Sequence, residues 1–251
     1  MKRHYGWQKQ KEDPRDHQFF SSIHIAALPK AIDLRTPGKT PPIVNQESIG
    51  SCGANSSSSI FLFEEMREGL QDVSLKSRLF IYYYTRYLMR TVKKDSGVDN
   101  RSLMKALSKY GACDESLWPY DISKFKIKPP KACINSALDH QVKEYTAINQ
   151  TLPDLKSCIA QGHPFLLGFY VPESFESEEM AKTGILKMPV RGKIIGGHDV
   201  YAIAYDDDKQ SFLIGNSWGE DWGQKGYFEM PYEFIIDSKW VTDFWSFRLV
   251  S

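Results

Sequence analysis

Gln46-Glu47-Ser48-Ile49-Gly50-Ser51-Cys52-Gly53-Ala54 is the stretch on which the reading of this chain turns. Gly50-Ser51 is a turn-like pair, and from Ala54 to Gly69 the composition becomes helical, so Cys52 falls in the first turn of a predicted helix. Ile60, Phe61, Phe63 and Met66 supply its apolar set and Gly69 its stop. Ser56 to Ser59 are poor helix formers, which a buried helix tolerates where small side chains allow close packing. A cysteine at a helix N-terminus feels the partial positive charge there, which lowers its pKa and raises its thiolate fraction. A thiolate that is to attack an acyl group also needs a base, a group that holds the base, and donors for the oxyanion.

Each has a candidate further along. Gly196-Gly197-His198-Asp199-Val200 carries a histidine at the start of a predicted strand. Gly215-Asn216-Ser217-Trp218-Gly219 carries an asparagine at the end of the next one. If the two strands pair as a hairpin, His198 and Asn216 come together. The amide oxygen of Asn216 can then hold one imidazole nitrogen and leave the other for the thiol. Gln46, six positions before Cys52, can offer its side-chain amide, with the Cys52 backbone N–H, as an oxyanion hole.

Around these residues, helices are predicted over Ser77 to Met89, Ser102 to Tyr110 and Leu155 to Gln161, from apolar residues near a 3.6 period. Short β-type runs follow at Phe165 to Val171, Val200 to Tyr205, Phe212 to Asn216 and Gly226 to Met230. Asp206-Asp207-Asp208-Lys209 is a turn between two of them. Helices first and strands second predict an α+β protein with an α-rich lobe and a β-rich lobe.

Taken together, Gln46…Gly50-Ser51-Cys52, Gly197-His198 and Asn216-Ser217-Trp218-Gly219-x-x-Trp222-Gly223-x-x-Gly226-Tyr227 resemble the papain/cathepsin-like cysteine peptidases of the C1 family. In that family the histidine follows the cysteine by about 130–150 residues, as here, and Asn216 lies somewhat beyond. Leu28-Pro29-x-x-Ile32-Asp33-Leu34-Arg35 resembles the start of the mature domain, and Gly111 to Tyr120 a mid-domain segment. The resemblance covers nearly everything from Leu28 onward. It implies a papain-like two-lobe fold: an N-terminal α-rich lobe, a C-terminal antiparallel β lobe, and the active-site cleft between them. It implies hydrolysis of peptide bonds through a thioester acyl-enzyme, with Cys52 as nucleophile, His198 as general base, Asn216 and Gln46 in support, and no cofactor. By the same resemblance, Asp95-Ser96-Gly97 is a strip that binds substrate backbone, Gly197 lines the site, and Trp218 shields the His198–Asn216 bond. An endopeptidase is the leading expectation, ahead of an exopeptidase or transpeptidase on the same fold. A peptide-binding homologue without catalysis is disfavoured by the intact Cys52, His198, Asn216 and Gln46.

The chain departs from the family pattern at several points. Glu47 stands where a glycine is usual, Ile49 where a bridged cysteine is usual, Gly53 in place of an aromatic and Asn55 in place of Phe. Asp199 replaces a small residue. Carboxylates near the site are expected to raise the His198 pKa.

The chain has 251 residues, 41% hydrophobic and 25% charged, with 32 basic and 31 acidic side chains and a formal net charge of +1. That balance favours neither nucleic acid nor an anionic membrane as a partner, and leaves a peptide or protein substrate and a monomer as the expectation. No apolar run approaches the ~20 residues of a membrane span. The polar N-terminus lacks a signal-peptide core, so a cytoplasmic or other non-secretory compartment is expected. Cys113, Cys133 and Cys158 read as small buried hydrophobes, and no spacing suits zinc. His4, His17, His24, His140 and His163 are expected at the surface. Residues 1–27 read as an N-terminal arm, separate from a peptidase domain at 28–251. The arm is either a structural strap or an inhibitory segment, running from Tyr5 or Trp7 to Phe20, that covers the cleft as in a zymogen.

Overall fold

The computed structural model describes residues 4–20, 28–189 and 192–249. His24 and most of the junction between arm and body lie outside these. The first half is helical. Helix α1 (Cys52–Arg67) is followed by α2 (Arg78–Leu88) and α3 (Asn100–Tyr110). Their limits follow local chemistry: the side chains of Ser77 and Asp99 cap the N-termini of α2 and α3, and Gly111 ends α3 at φ 65°. The shorter α4 (Lys131–Ala137) and α5 (Leu152–Ala160) follow.

The second half supplies six strands of what is, among the described residues, a seven-stranded sheet: β1 (Ala31–Asp33), from before α1, then β2 (Glu144–Ala147), β3 (Phe165–Pro172), β4 (Ile194–Asp206), β5 (Ser211–Gly215), β6 (Tyr227–Pro231) and β7 (Val241–Arg248). The order is β2-β7-β3-β4-β5-β6, and β1 pairs with β4. Every one of these pairings is antiparallel. The expected α+β architecture with an antiparallel second half is thus observed. The strand that carries His198 is longer than expected. It begins at Ile194 and takes Gly196 and Gly197 into the ladder, where they pair with Val171 and Tyr170. Two short helices, α6 (Glu178–Thr183) and α7 (Tyr232–Ile235), lie among the strands.

Alternation along β3 decides which lobe each side chain meets. Phe165, Leu167, Phe169 and Val171 enter a core with Leu155 and Ile159 of α5 and Phe234 of α7. Leu166 faces the other way, into a core with Ile60 and Phe61 of α1, Tyr201, Trp245 and Phe247. Helix α1 is therefore sandwiched, with all residues from Cys52 to Glu65 buried. Its serines fit that position, since Ser58 donates to Lys76 O at 2.6 Å and Ser56 to Asp199 O at 3.2 Å. The buried Lys76 ammonium is neutralised by Glu65 at 2.8 Å and Asp114 at 2.7 Å.

Cys113, Cys133 and Cys158 are buried free thiols. His163 corrects the expectation of a surface residue: it is buried and its Nδ1 lies 2.8 Å from Glu64 Oε1, where an apolar setting makes a charged partner worth keeping. Among the described residues no helix is long and apolar enough to cross a membrane.

Candidate active site

Cys52 opens α1, as its sequence setting predicts. The turn before it is held from several directions. Gly50 donates its N–H to both oxygens of Asp95, at 3.0 and 3.1 Å. Ser51 Oγ and Tyr120 OH are 2.6 Å apart, and Tyr120 OH donates to Gln46 O at 2.8 Å. Asn55 joins this web, donating to Ser51 O at 2.9 Å and accepting from Arg78 at 2.9 Å. A phenylalanine at 55 could make neither bond. A short loop with this many fixed polar groups holds the helix terminus rigidly.

His198 and Asn216 are brought together by β4 and the end of β5. His198 donates Nε2–H to Asn216 Oδ1 at 2.8 Å, which leaves Nδ1 proton-free in the neutral ring. Trp218 stacks on the imidazole, with ring centroids 5.0 Å apart and planes 24° apart. The Asn216 oxygen also accepts from the N–H of Ser217 at 2.8 Å, so its orientation is fixed. Ser217 Oγ in turn donates to Gln46 Oε1 at 2.7 Å, which aims the Gln46 amide nitrogen away from it. Ser217 was not singled out by sequence, although it follows Asn216 directly.

The Gln46 nitrogen donates to His4 O at 3.0 Å, a carbonyl of the N-terminal arm. From there the arm crosses the sheet edge and the α lobe. Val98 donates its N–H to Gly6 O at 2.7 Å, Gln8 donates to Val98 O at 2.9 Å, and Trp7 donates to Gly197 O at 2.9 Å. Gln8 also bonds Ser96 O through its side chain, and Tyr5 packs against both His198 and Trp218. Gly97, at φ 71°, has no room for a Cβ because Gly6 O occupies that space. Ser96, Gly97, Gly197 and Trp218 thus all border residues 4–8. Val98, missed in the sequence, provides two of the backbone bonds through atoms that carry no residue-specific signal.

Residues beyond Gln8 behave as a strap. Gln10 donates its N–H to Asp243 Oδ2 at 2.8 Å and takes Trp245 Nε1–H at 3.0 Å on its side chain. Arg101 pairs with Asp16, and Phe19 is buried beside Ala147. Phe20 is exposed.

Under this cover the expectation of a lowered Cys52 pKa fails. Burial pushes the thiol up to about 12, and the nearby Asp199 carboxyl adds to the effect. Backbone N–H groups of Asp199, Gly6 and Gly53 favour the thiolate but do not offset desolvation. Asp199 is itself buried. Its carboxyl takes one 3.3 Å bond from Asn100, and its proton affinity is raised well above the usual carboxylate range by desolvation. Burial thus favours the protonated form of this neighbour of His198 relative to an exposed aspartate. Glu47 is exposed, at φ 56°.

A profile described as papain family cysteine protease matches residues 28–236. The chain belongs to this family. A peptidase C1-like protein of Acanthamoeba polyphaga mimivirus is 34% identical over all of this chain and 88% of its own length. The cathepsin B-like CP3 of Giardia intestinalis is 29% identical over 83% of this chain and 71% of its own. Among solved structures, xylellain, a cysteine protease from Xylella fastidiosa, superposes with a TM-score of 0.92 at 34% identity, covering 98% of this chain and 96% of its own. The protein is accordingly a cysteine peptidase with the papain-like fold, acting on peptide or protein substrates. Among the described residues no cluster of three or more histidine, cysteine or acidic side chains is placed to hold a metal ion.

The departures from the family pattern have local explanations. Asn55 ties Arg78 to the turn before Cys52. Gly53 leaves the space that the Asp199 carboxyl fills. Ile49 packs in the apolar core beneath the turn.

Proposed function

We propose that this protein is a self-occluded cysteine endopeptidase, in which residues 4–8 fill the substrate cleft until they are displaced. Cys52 attacks the scissile carbonyl, His198 accepts the thiol proton through Nδ1 and returns it to the leaving amine, and Asn216 holds the ring. The Gln46 amide and the Cys52 N–H receive the oxyanion, and water then hydrolyses the thioester. The observation that carries the proposal is the seating of His4 O on the Gln46 nitrogen while Gly6 packs directly on the backbone of Gly50, in the turn before Cys52. One arm segment occupies the oxyanion donor and covers the turn that presents the nucleophile, and it is bonded to both walls of the cleft through Val98 and Gly197. Every group needed comes from one chain, which supports a monomer. The free thiols support a reducing, non-secretory compartment, such as the cytoplasm, as its place of action.

The test is active-site labelling with a peptidyl epoxide, read by intact mass, on the full chain, on Gly6→Val, and on a chain lacking Met1 to Ala27. Gly6 has no room for a side chain against the Gly50 carbonyl, so valine there unseats the arm. The displaced forms should label at least ~10-fold faster and hydrolyse fluorogenic peptides, and Cys52→Ala should abolish both. Equal labelling of all folded forms would refute occlusion. Labelling that survives Cys52→Ala would refute the assignment of the nucleophile.

A further inference from the structure

We propose that a basic groove beside the cleft is an exosite, which takes an acidic segment of the polypeptide substrate flanking the bond to be cleaved. This rests on the reading of the cleft as the site of proteolysis. The groove holds about 870 Å³ between the C-terminal ends of α2 and α3 and the loop that follows α2. Arg90, Lys93 and Lys94 of that loop and Lys109 of α3 line it together with Tyr87 and Tyr110, and no acidic residue does. Among the described residues none of these four cations forms an ion pair, whereas Arg35, Arg78, Arg101, Lys156 and Lys209 each hold a carboxylate. Asp95, next in the chain, is turned to Gly50, Tyr82 and His4. In a chain whose formal net charge is +1, such a patch is a local arrangement and not general basicity.

The groove is held in shape from beneath. The buried guanidinium of Arg86 donates to the carbonyls of Val92 at 3.0 Å, Lys94 at 2.8 Å and Phe125. Lys94 also donates its N–H to Thr91 O at 2.9 Å, so the loop that carries three of the cations is fixed. Arg90 stands at φ 60°, in the position after the α2 C-cap that glycine usually fills. The chain accepts strain there and places a cation. Tyr87 is 53% exposed at the edge of the groove, and its ring meets Tyr110 edge-on with centroids 6.2 Å apart. Lys109 Nζ lies 5.4 Å from the Tyr110 ring centre. Phenol rings beside cations offer apolar contact and donors for carboxylates at once.

Two features identify the occupant. First, the groove is joined to the cleft. Thr91, which lines the groove, accepts from Ser96 Oγ at 2.8 Å, and the Ser96 carbonyl accepts from the side chain of Gln8 in the arm. Ser96 thus stands between groove and cleft, and a polypeptide lying along residues 96–98 needs only a few more residues to reach Lys93 and Lys94. Second, exposed cations in salt attract only modestly. The counterion release that drives nucleic-acid binding grows with the number of phosphates met, and four cations meet few. A segment already tethered in the cleft faces the groove at a high effective concentration, so a weak site is enough to select it.

The test has two parts. In the first, the full chain with its arm in place is titrated at low salt with a fluorescein-labelled Glu-Gly repeat peptide and with its Gln-Gly counterpart, read by anisotropy. The acidic peptide should bind at least ~10-fold tighter and lose that advantage as salt is raised. Lys93→Glu with Lys94→Glu, and separately Lys109→Glu, should remove it. Lys39→Glu with Lys225→Glu, outside the groove, should not. In the second, the chain carrying Gly6→Val cleaves internally quenched peptides that share one scissile segment and are extended at either end by ~10 acidic or neutral residues. At one end the acidic extension should raise kcat/KM about 10-fold or more, through KM, and Lys93→Glu with Lys94→Glu should bring the two substrates within about threefold. Binding and cleavage indifferent to the groove lysines would overturn the proposal, as would binding with no kinetic advantage at either end. A single-stranded oligonucleotide of equal charge that binds tighter than the acidic peptide would assign the groove to nucleic acid instead. If Gly6→Val gains no activity, occlusion fails, and the binding measurement on the full chain still decides the groove.

Discussion

The Asp199 carboxyl occupies the space that a side chain on Gly53 would need: a Cβ at residue 53 would lie 2.6 Å from Asp199 Oδ2. Leu103 and Val98 close the remaining directions at 3.0 and 3.1 Å. Two departures from the family pattern, 146 positions apart, are thus one compensated pair (199 − 53). Gly53→Ala should destabilise the protein by roughly 1–3 kcal/mol through overpacking. Asp199→Ala should relieve part of that cost, giving a coupling of roughly 0.5–3 kcal/mol in a double-mutant cycle followed by urea denaturation. Additive effects would show that the two positions do not share the space.

Asp243 sets a pH dependence. Burial raises its carboxyl to about 6, although the Gln10 N–H and Thr242 hydroxyl bond it. An unfolded aspartate releases its proton near pH ~3.9. Between about pH 4 and 6 the folded chain therefore holds the extra proton, and stability falls as pH rises through that window. The loss approaches roughly 2–3 kcal/mol. Asp199, also raised by burial, acts in the same direction. Thermal melts of the parent and of Asp243→Asn across this range should show a shallower slope in the variant. Identical slopes would exclude Asp243 as the source.

Gln46→Ala should act on two properties in opposite senses. It removes a donor from the proposed oxyanion hole, which should lower kcat of the arm-displaced enzyme by about 10²–10³. It also removes the bond to His4 O, so in the full chain Cys52 should be labelled faster by a simple alkylating agent. Stopped-flow labelling and steady-state kinetics separate the two effects.

Lys76→Met should be among the costliest single changes. Lys76 is 1% exposed and shared by Glu65 and Asp114, so its loss leaves buried Glu65 with only the longer contact to His140 at 3.3 Å. Breaking a buried pair from one side costs about 3–5 kcal/mol. Urea denaturation measures it, and a loss under ~1 kcal/mol would mean that the site rehydrates easily.

Local chemistry announced much of this protein. Ser77, Asp99, Gly69 and Gly111 mark helix ends through capping and turn geometry, which depend on a few adjacent residues. The strands β2 and β7 were not foreseen. The first lies at the edge of the sheet, and the second pairs with β3 across more than 70 residues of chain, so neither declares itself in a local window. His163 was misplaced for the same reason, since its partner Glu64 is 99 positions away.

The sequence by itself determined the family, the order of the chemical groups, and the helix start at Cys52, because these depend on residue type and short-range spacing. Only the tertiary structure decided the state of that cysteine. A helix terminus favours thiolate, but the terminus lies under Gly6 and beside Asp199, and desolvation outweighs the helix charge. It also decided that the indole of Trp7 packs against Gly168. They are 161 positions apart (168 − 7), and their fit is one of shape, which exists only once the arm is laid across the sheet.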